Sequence, residues 1–134
     1  MRYTLIVSVL LITFVGCNKS GNSLSPTEPK LDSTISGKTL AYSTNQRFLL
    51  ELDLSADAGY QWDYSVSDSI VARIDSTNYR PKSGNWNQVG GLTVESFFFR
   101  TMKPGTCLVV MVEHRGWEPN VPPIDSLKFF ISVQ

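Results

Sequence analysis

Apolar and polar residues alternate along several short stretches of the chain, and one of these stretches leads into a turn of small residues. Over residues 48–54 every second residue, from Phe48 to Leu54, is apolar and alternates with Leu49, Glu51 and Asp53, which predicts a strand with one buried face. Downstream, Tyr60 and Trp62 fall on one face of a second strand. Residues 55–59, between the two strands, are small and end in a glycine, which adopts positive φ without steric cost. We therefore predict a turn that presents mainly backbone at the surface.

Similar strand-like runs follow one another along the chain, and no segment shows a helical period of useful length. The predicted strands are 34–42, 47–54, 60–66, 70–75, 92–101, 106–114 and 125–133. The last is the clearest, because Leu127, Phe129, Ile131 and Val133 share one face. For the strand 106–114 the sequence does not decide which face is buried, because odd and even positions are both apolar. About seven short strands separated by turns predict an all-β domain, built as a two-sheet antiparallel sandwich.

Two of the predicted loops are unusually long. Residues 78–91 are too polar and too rich in glycine to form a strand throughout. Residues 115–123 contain Trp117 and three prolines, so they do not pair inside a sheet. Loops of this length in a small sandwich are often functional, and both are candidates for a binding role.

The first seventeen residues differ from the rest of the chain. A short basic start is followed by a mostly apolar run over residues 5–15, which is too brief to span a bilayer as a mature helix but suits a secretion signal. Gly16 before Cys17 resembles the bacterial lipobox, whose cysteine is diacylated and becomes the mature N-terminus. We predict a lipoprotein signal peptide at 1–17 with lipidation at Cys17. Plain secretion and an uncleaved anchor are the alternatives.

The predicted lipid defines the expected organisation and location of the chain. Residues 18–33 are polar and rich in serine, asparagine, proline and lysine, which predicts a flexible tether before a folded domain at 34–134. Acyl chains bind membranes in proportion to their buried methylene groups, so several chains give durable attachment. We expect a cell-envelope protein, lipid-anchored to a bacterial membrane and facing the periplasm or the surface.

Charge and residue content argue against several classes of function. The formal net charge is zero, which gives no reason to expect nucleic acid as a partner, and we expect a monomer. His114 is the single histidine, and its odd separation from Cys107 places the two on opposite faces of one strand, which excludes a catalytic dyad. The aspartates lack metal-loop spacing, and Gly90-Gly91 precedes a strand rather than a helix. No catalytic residue, metal or cofactor is expected, and Cys107 is interpreted as a small buried hydrophobe.

Three short motifs occupy the predicted loops and the strands beside them. The first is Ser55-Ala56-Asp57-Ala58-Gly59-Tyr60-Gln61-Trp62. The second is Gln88-Val89-Gly90-Gly91, which is followed by the aromatic run Phe97-Phe98-Phe99. The third is Arg115-Gly116-Trp117-Glu118. In order and spacing they resemble the motifs of the chagasin family of cysteine protease inhibitors, and the resemblance runs from about residue 47 to the C-terminus.

The chain departs from the family's usual motifs at the loop tips. Those motifs are Asn-Pro-Thr-Thr-Gly-Tyr-x-Trp, Gly-x-Gly-Gly and Arg-Pro-Trp-Glu. Here Gly-Tyr-x-Trp is kept, but the residues before it are changed and include Asp57. Gln88 replaces the first glycine of the second motif, and Gly116 replaces the proline of the third. The parts that hold the fold are therefore better retained than the parts that would touch a protease.

The resemblance implies an immunoglobulin-like β-sandwich whose three loops form a wedge for the cleft of papain-like cysteine proteases. The first loop would lie near the catalytic cysteine, and the other two would grip the flanking subsites. The implied protease-binding residues are Ser55, Ala56, Asp57, Ala58, Gly59, Gln88, Val89, Gly90, Gly91, Arg115, Gly116, Trp117 and Glu118. The alternative is a cell-envelope binding or adhesion module that has the same fold and does not inhibit.

Individual residues in these motifs have different expected roles. Tyr60 and Trp62 are interpreted as core residues, because sandwich cores commonly hold an aromatic residue on a central strand. Trp117 lies among glycine and proline in a loop, which favours an exposed anchor. Arg115 and Glu118 form either an ordinary surface ion pair or a contact with the target. Asp57 must be paired or solvated inside a cleft, so either it points outward or the target differs from the family's usual one.

Overall fold

The computed structural model describes residues 28–87 and 90–134. The predicted signal peptide, Cys17 and most of the predicted tether lie outside the described residues, as do Gln88 and Val89. Over these two ranges, no helix is long and apolar enough to cross a membrane.

The described chain consists of short strands joined by turns. The strands are β1 (Lys30–Leu31), β2 (Thr39–Tyr42), β3 (Arg47–Leu54), β4 (Gln61–Val66), β5 (Ala72–Pro81), β6 (Thr93–Thr101), β7 (Gly105–His114) and β8 (Asp125–Val133). Two single turns of 3-10 helix, Ser33–Ile35 and Ala56–Ala58, complete the described elements. The all-β class predicted from the alternation is confirmed.

The strands form a sandwich of two four-stranded sheets, in the orders β1-β3-β6-β5 and β2-β8-β7-β4. The sheets are mixed rather than purely antiparallel, because β1 pairs with β3, and β2 with β8, in parallel. Strand β1 lies at the end of the predicted tether, and strand β2 lies in the segment 34–42 that was predicted to be one strand. There Asp32 caps the turn Ser33–Ile35 by accepting a hydrogen bond from Thr34 N, and the buried Ile35 leads the chain from one sheet to the other.

Strand β5 is longer than its sequence predicts. It continues to Pro81 through an irregularity between Ile74 and Ser76, although residues 76–80 are polar. The reason is its position at the edge of its sheet, where one side of the strand faces solvent and a terminal proline is tolerated. The predicted loop 78–91 therefore loses its first residues to this strand.

The core lies between the two sheets and is built from alternate residues of the central strands. Its fully buried larger side chains are Phe48, Leu50, Phe97, Phe99, Val109, Met111, Phe129 and Ile131. Phe48 stacks on Phe99 with ring centroids 4.8 Å apart. The structure shows which face of β7 is buried, because Cys107, Val109 and Met111 point inward. Burial raises the pKa of the Cys107 thiol, as suits an unreactive core residue.

Strand register places three loops at one end of the sandwich. Leu54 and Pro81 lie next to Thr93 on either side of β6, so β3 ends where β5 ends and where β6 begins. In the other sheet, His114 at the end of β7 pairs with Gln61 at the start of β4. The connections β3–β4, β5–β6 and β7–β8 therefore share that end, and we call them loop 1 (55–60), loop 2 (82–92) and loop 3 (115–124).

Candidate functional site

Loop 1 folds tightly on its own backbone. Ala58 N donates to Ser55 O at 3.1 Å, and Gly59 N donates to Ala56 O at 2.8 Å. Gly59 closes the turn in the left-handed conformation, with φ 77°. The side chains of Ala56, Asp57 and Ala58 are exposed around this turn. The predicted turn of small residues is therefore present, and two of its backbone amide groups are already hydrogen-bonded to carbonyl groups within the turn.

Trp117 of loop 3 lies directly against Gly59 of loop 1. A Cβ atom at Gly59 would lie 1.9 Å from Cη2 of the Trp117 ring, a distance that no side chain can occupy. The indole remains 65% exposed, which agrees with its expected place at the surface. Gly59 is therefore required for two reasons, its positive φ and the close approach of the indole, of which the sequence indicated only the first.

Arg115 joins the same two loops through polar contacts. Its Nε donates to Ala58 O at 3.0 Å, and its guanidinium lies over the Tyr60 ring, 4.5 Å from the centroid. Arg115 Nη1 is also 3.5 Å from Glu118 Oε1. The ion pair foreseen for Arg115 and Glu118 is present, and the arginine also connects loop 3 to loop 1, whereas a contact of these residues with the target stays a prediction. Gly116, the next residue, is exposed beside the Gln61 side chain.

Loop 2 lies on the other side of loop 1. Gly90 and Gly91 both have positive φ, 78° and 119°, and both are exposed. A Cβ atom at Gly90 would lie 3.8 Å from Asp57 Oδ2, so the glycine pair adjoins the tip of loop 1. Trp86 projects from the same loop and is exposed. Gln88 and Val89, which the second motif also includes, lie outside the described residues and their assignment stays a prediction.

Two buried contacts support the base of loop 1. Trp62 is buried, as predicted, and its Nε1–H donates to Asp53 O at 2.9 Å, which ties the end of β3 to β4. Glu113 of β7 is also buried, and its Oε1 accepts a hydrogen bond from Ser55 N at 3.2 Å. Burial raises the pKa of the Glu113 carboxyl, and the bond from Ser55 offsets this only in part. The first residue of loop 1 is therefore hydrogen-bonded to a buried side chain of β7.

A second buried carboxyl, Glu95 of β6, lies between the sheets and opposite Leu52 in register. It is only 2% exposed, and its Oε2 has no hydrogen-bond partner in the described part of the chain. Burial raises the pKa of Glu95 more than the neighbouring Tyr79 hydroxyl and Trp62 backbone lower it. Sequence reasoning missed both glutamates, although each shares the parity of inward-facing apolar residues on its strand.

Replacement of Glu95 by glutamine should stabilise the protein most at neutral pH. A carboxyl whose pKa is raised by folding adds stability below its unfolded pKa of about 4.3, and this stability is lost as pH rises through the folded pKa. Glu95→Gln removes that loss, so the melting temperature should rise near pH 7.5, with the gain disappearing near pH 4. Thermal unfolding of both proteins across this range measures the effect, and an equal gain at every pH would contradict it.

Glu51 provides the matched control with the opposite sign. It is partly buried, which raises its pKa, but Lys30 at 2.6 Å and Arg80 at 2.7 Å lower the pKa below the usual range. Its contribution to stability is present above the unfolded pKa and is lost as pH falls through the folded pKa. Glu51→Gln should therefore destabilise the protein near pH 7.5 and have little effect in acid.

The site has the geometry of a binding surface rather than of a catalytic centre. Cys107 is buried between the sheets, whereas His114 faces the other side of β7, with Nε2 2.6 Å from Asp63 Oδ2. The predicted separation of these two residues is confirmed, and they form no dyad. In residues 28–87 and 90–134, no group of three or more histidine, cysteine, aspartate or glutamate side chains is placed to hold a metal ion.

Three solved structures have a fold similar to that of this chain. The cysteine protease inhibitor EhICP2 from Entamoeba histolytica superimposes with a TM-score of 0.70 at 19% identity, over 79% of this chain and 95% of that one. Amebosin gives a TM-score of 0.67 at 17% identity, over 80% and 98%. PbICP-C, solved in complex with falcipain-2, gives 0.56 at 16% identity, over 79% and 99%.

Sequence comparison gives the family directly. No curated protein matches the chain. Residues 42–133, however, match the family described as Chagasin family peptidase inhibitor I42, and this range covers strands β3 to β8 and all three loops. The resemblance carried by the three motifs is confirmed, and the chain belongs to the chagasin family of peptidase inhibitors.

Proposed function

We propose that this chain inhibits papain-like cysteine proteases by inserting loops 1, 2 and 3 into the active-site cleft. The observation that carries the proposal is that the described residues of the three motifs lie together at one end of the sandwich, with Trp117 exposed on Gly59. Membership of a peptidase inhibitor family agrees with the prediction that the chain is not an enzyme. A solved relative in complex with falcipain-2 supports this class of target.

The contacts within the site favour tight binding because they order the loops before a protease arrives. Arg115 holds Ala58, and Glu113 holds Ser55, so loop 1 is fixed from two sides. A loop that is already ordered loses little conformational entropy on binding. Trp117 and Trp86 are exposed beside it and supply the large aromatic side chains that dominate binding hot spots. Loop 1 would then enter a narrow groove mainly with its backbone.

The arrangement does not favour the alternative of an adhesion module without inhibitory loops. Such a module would tolerate separated loops or a buried Trp117. Here the tips of loops 1 and 3 interlock, loop 2 adjoins loop 1, and the indole faces solvent. These are the features that an inhibitory wedge needs.

Titration of papain and of falcipain-2 with the soluble chain 18–134 tests the proposed function. Residual activity on a small peptide substrate should fall in a tight, reversible and competitive manner. A metalloprotease and a serine protease serve as controls and should keep their activity. Full activity of both cysteine proteases at a large excess of the chain would contradict the proposal.

We also propose that Cys17 is lipidated and that the inhibitor is anchored in the cell envelope of a bacterium. The support is the apolar run at 5–15 followed by Gly16 and Cys17. In a bacterial host, the full-length chain should incorporate an alkyne-labelled fatty acid and sediment with membranes. Cys17→Ser should lose the label, whereas Cys107→Ser, at a buried position, should keep it. Labelling that is unchanged in Cys17→Ser would contradict the anchor.

A further inference from the structure

A polar cleft of about 290 Å³ separates loop 1 from loop 2. Asp57 forms its wall on the side of loop 1. Residues 81–83 and 90–93, where β5 and β6 meet the two ends of loop 2, form the other walls. The cleft therefore lies at the end of the sandwich that is proposed to meet a protease.

The charges in this cleft leave one carboxylate available. Lys82 also lines the cleft, but its Nζ is 2.5 Å from Asp53 Oδ2 and is neutralised there. Asp57 is exposed, and no described side chain forms an ion pair with it. The cleft therefore presents a net negative charge to a group that binds in it.

Insertion into a protease would remove water from Asp57. A carboxylate that loses water without a partner is costly, so it must gain a hydrogen-bond donor or a cation in the complex. The neighbouring backbone amides of Ala58 and Gly59 already donate to carbonyl groups inside the turn. A donor from the protease can supply the missing partner, and a cationic donor gives the strongest bond to a carboxylate.

The remaining walls suit the apolar stem of a long cationic side chain. Leu92 lines the cleft and is 48% exposed, and Pro81 lines it from the end of β5. Lysine and arginine bury their methylene groups along apolar surface while the charged end reaches a polar partner. The cleft thus combines an apolar wall for the stem with Asp57 for the charged end.

We propose that this cleft receives a lysine or arginine side chain from the rim of the target protease's active-site groove, and that Asp57 pairs with it. The inference rests on the proposed function and extends it, because it makes Asp57 a specificity residue. Proteases with a cation at the facing position are selected, and proteases with an acidic residue there are rejected by like-charge repulsion.

A double-mutant cycle across the complex tests this pairing. The inhibition constant is measured for the wild-type chain 18–134 and for Asp57→Asn, against papain and against falcipain-2. For each inhibited enzyme, every lysine or arginine bordering the groove is replaced in turn by glutamine. We expect Asp57→Asn to weaken inhibition about tenfold, with one protease variant showing the same loss and no further loss when both changes are combined.

A control variant and two contrary outcomes separate a failure of the pairing from a failure of the proposed function. Asp68→Asn removes an exposed carboxylate from the turn between β4 and β5, at the end of the sandwich opposite the three loops, and it should change the inhibition constant less than about threefold. Inhibition that is as tight with Asp57→Asn as with the wild type, or a loss coupled to no protease cation, would overturn the pairing while leaving the proposed function intact. A wild-type chain that inhibits neither enzyme would instead overturn the proposed function and this inference together.

Discussion

Gly59→Ala is expected to weaken inhibition of a papain-like protease by about a hundredfold or more. The added Cβ would lie 1.9 Å from the Trp117 ring, so the indole must leave its position. The residue also has φ 77°, where a side chain adds strain of about 1–3 kcal/mol. Loss of an aromatic anchor alone costs about 2 kcal/mol or more, and disorder in loop 1 adds to this loss. Inhibition constants and melting temperatures of the variant and the wild type measure the two effects.

Gly37→Ala separates backbone strain from loss of the site. Gly37 has the same φ of 77°, but a Cβ there would meet nothing within 4 Å. Its variant should lose stability through strain and keep its inhibition constant. An equal loss of inhibition in both variants would show that general destabilisation, and not displacement of Trp117, accounts for the effect at Gly59.

Trp117→Ala should weaken inhibition by about thirtyfold or more at nearly unchanged stability. The side chain is 65% exposed, so its removal takes little from the core. In the complex it would be buried against the protease, where tryptophan is among the residues whose truncation costs most. Titration of the protease and thermal unfolding of the variant give the two measurements.

Phe130→Ala is the matched control for this prediction. Phe130 is also a large aromatic residue, 44% exposed, but it lies on the outer face of β8 and away from the three loops. Its removal should leave the inhibition constant within about twofold of the wild type, because surface substitutions outside an interface are near neutral. If Trp117→Ala were equally harmless, the indole would not be an anchor.

The alternation of side chains was sufficient to predict the frame of the fold. Strands β3 and β8 follow a clear two-residue period, and both bury the predicted faces. The short strand Lys30–Leu31 has no period to detect, and its existence depends on parallel pairing with β3. The edge strand β5 extends through polar residues for the same reason, since its pairing with β6 determines its length.

The candidate site was predictable in position but not in its contacts. Trp117 was expected at the surface because glycine and proline surround it, and it is exposed there. Its contact with Gly59 and the bond from Arg115 to Ala58 join residues more than fifty positions apart, which no local pattern encodes. The bond from Ser55 to Glu113 was missed because a charged residue on a strand is usually read as exposed.

Alkylation of the protease's catalytic cysteine reports most directly whether the loops fill the active-site cleft. Papain is incubated with iodoacetamide in the presence of a stoichiometric amount of the chain 18–134, and labelling of the cysteine is followed by mass spectrometry. We expect the wild type and Gly37→Ala to slow the labelling strongly, and Gly59→Ala to give little protection. Labelling at the unprotected rate, with the chain bound, would show that it attaches outside the cleft and would contradict inhibition by the three loops.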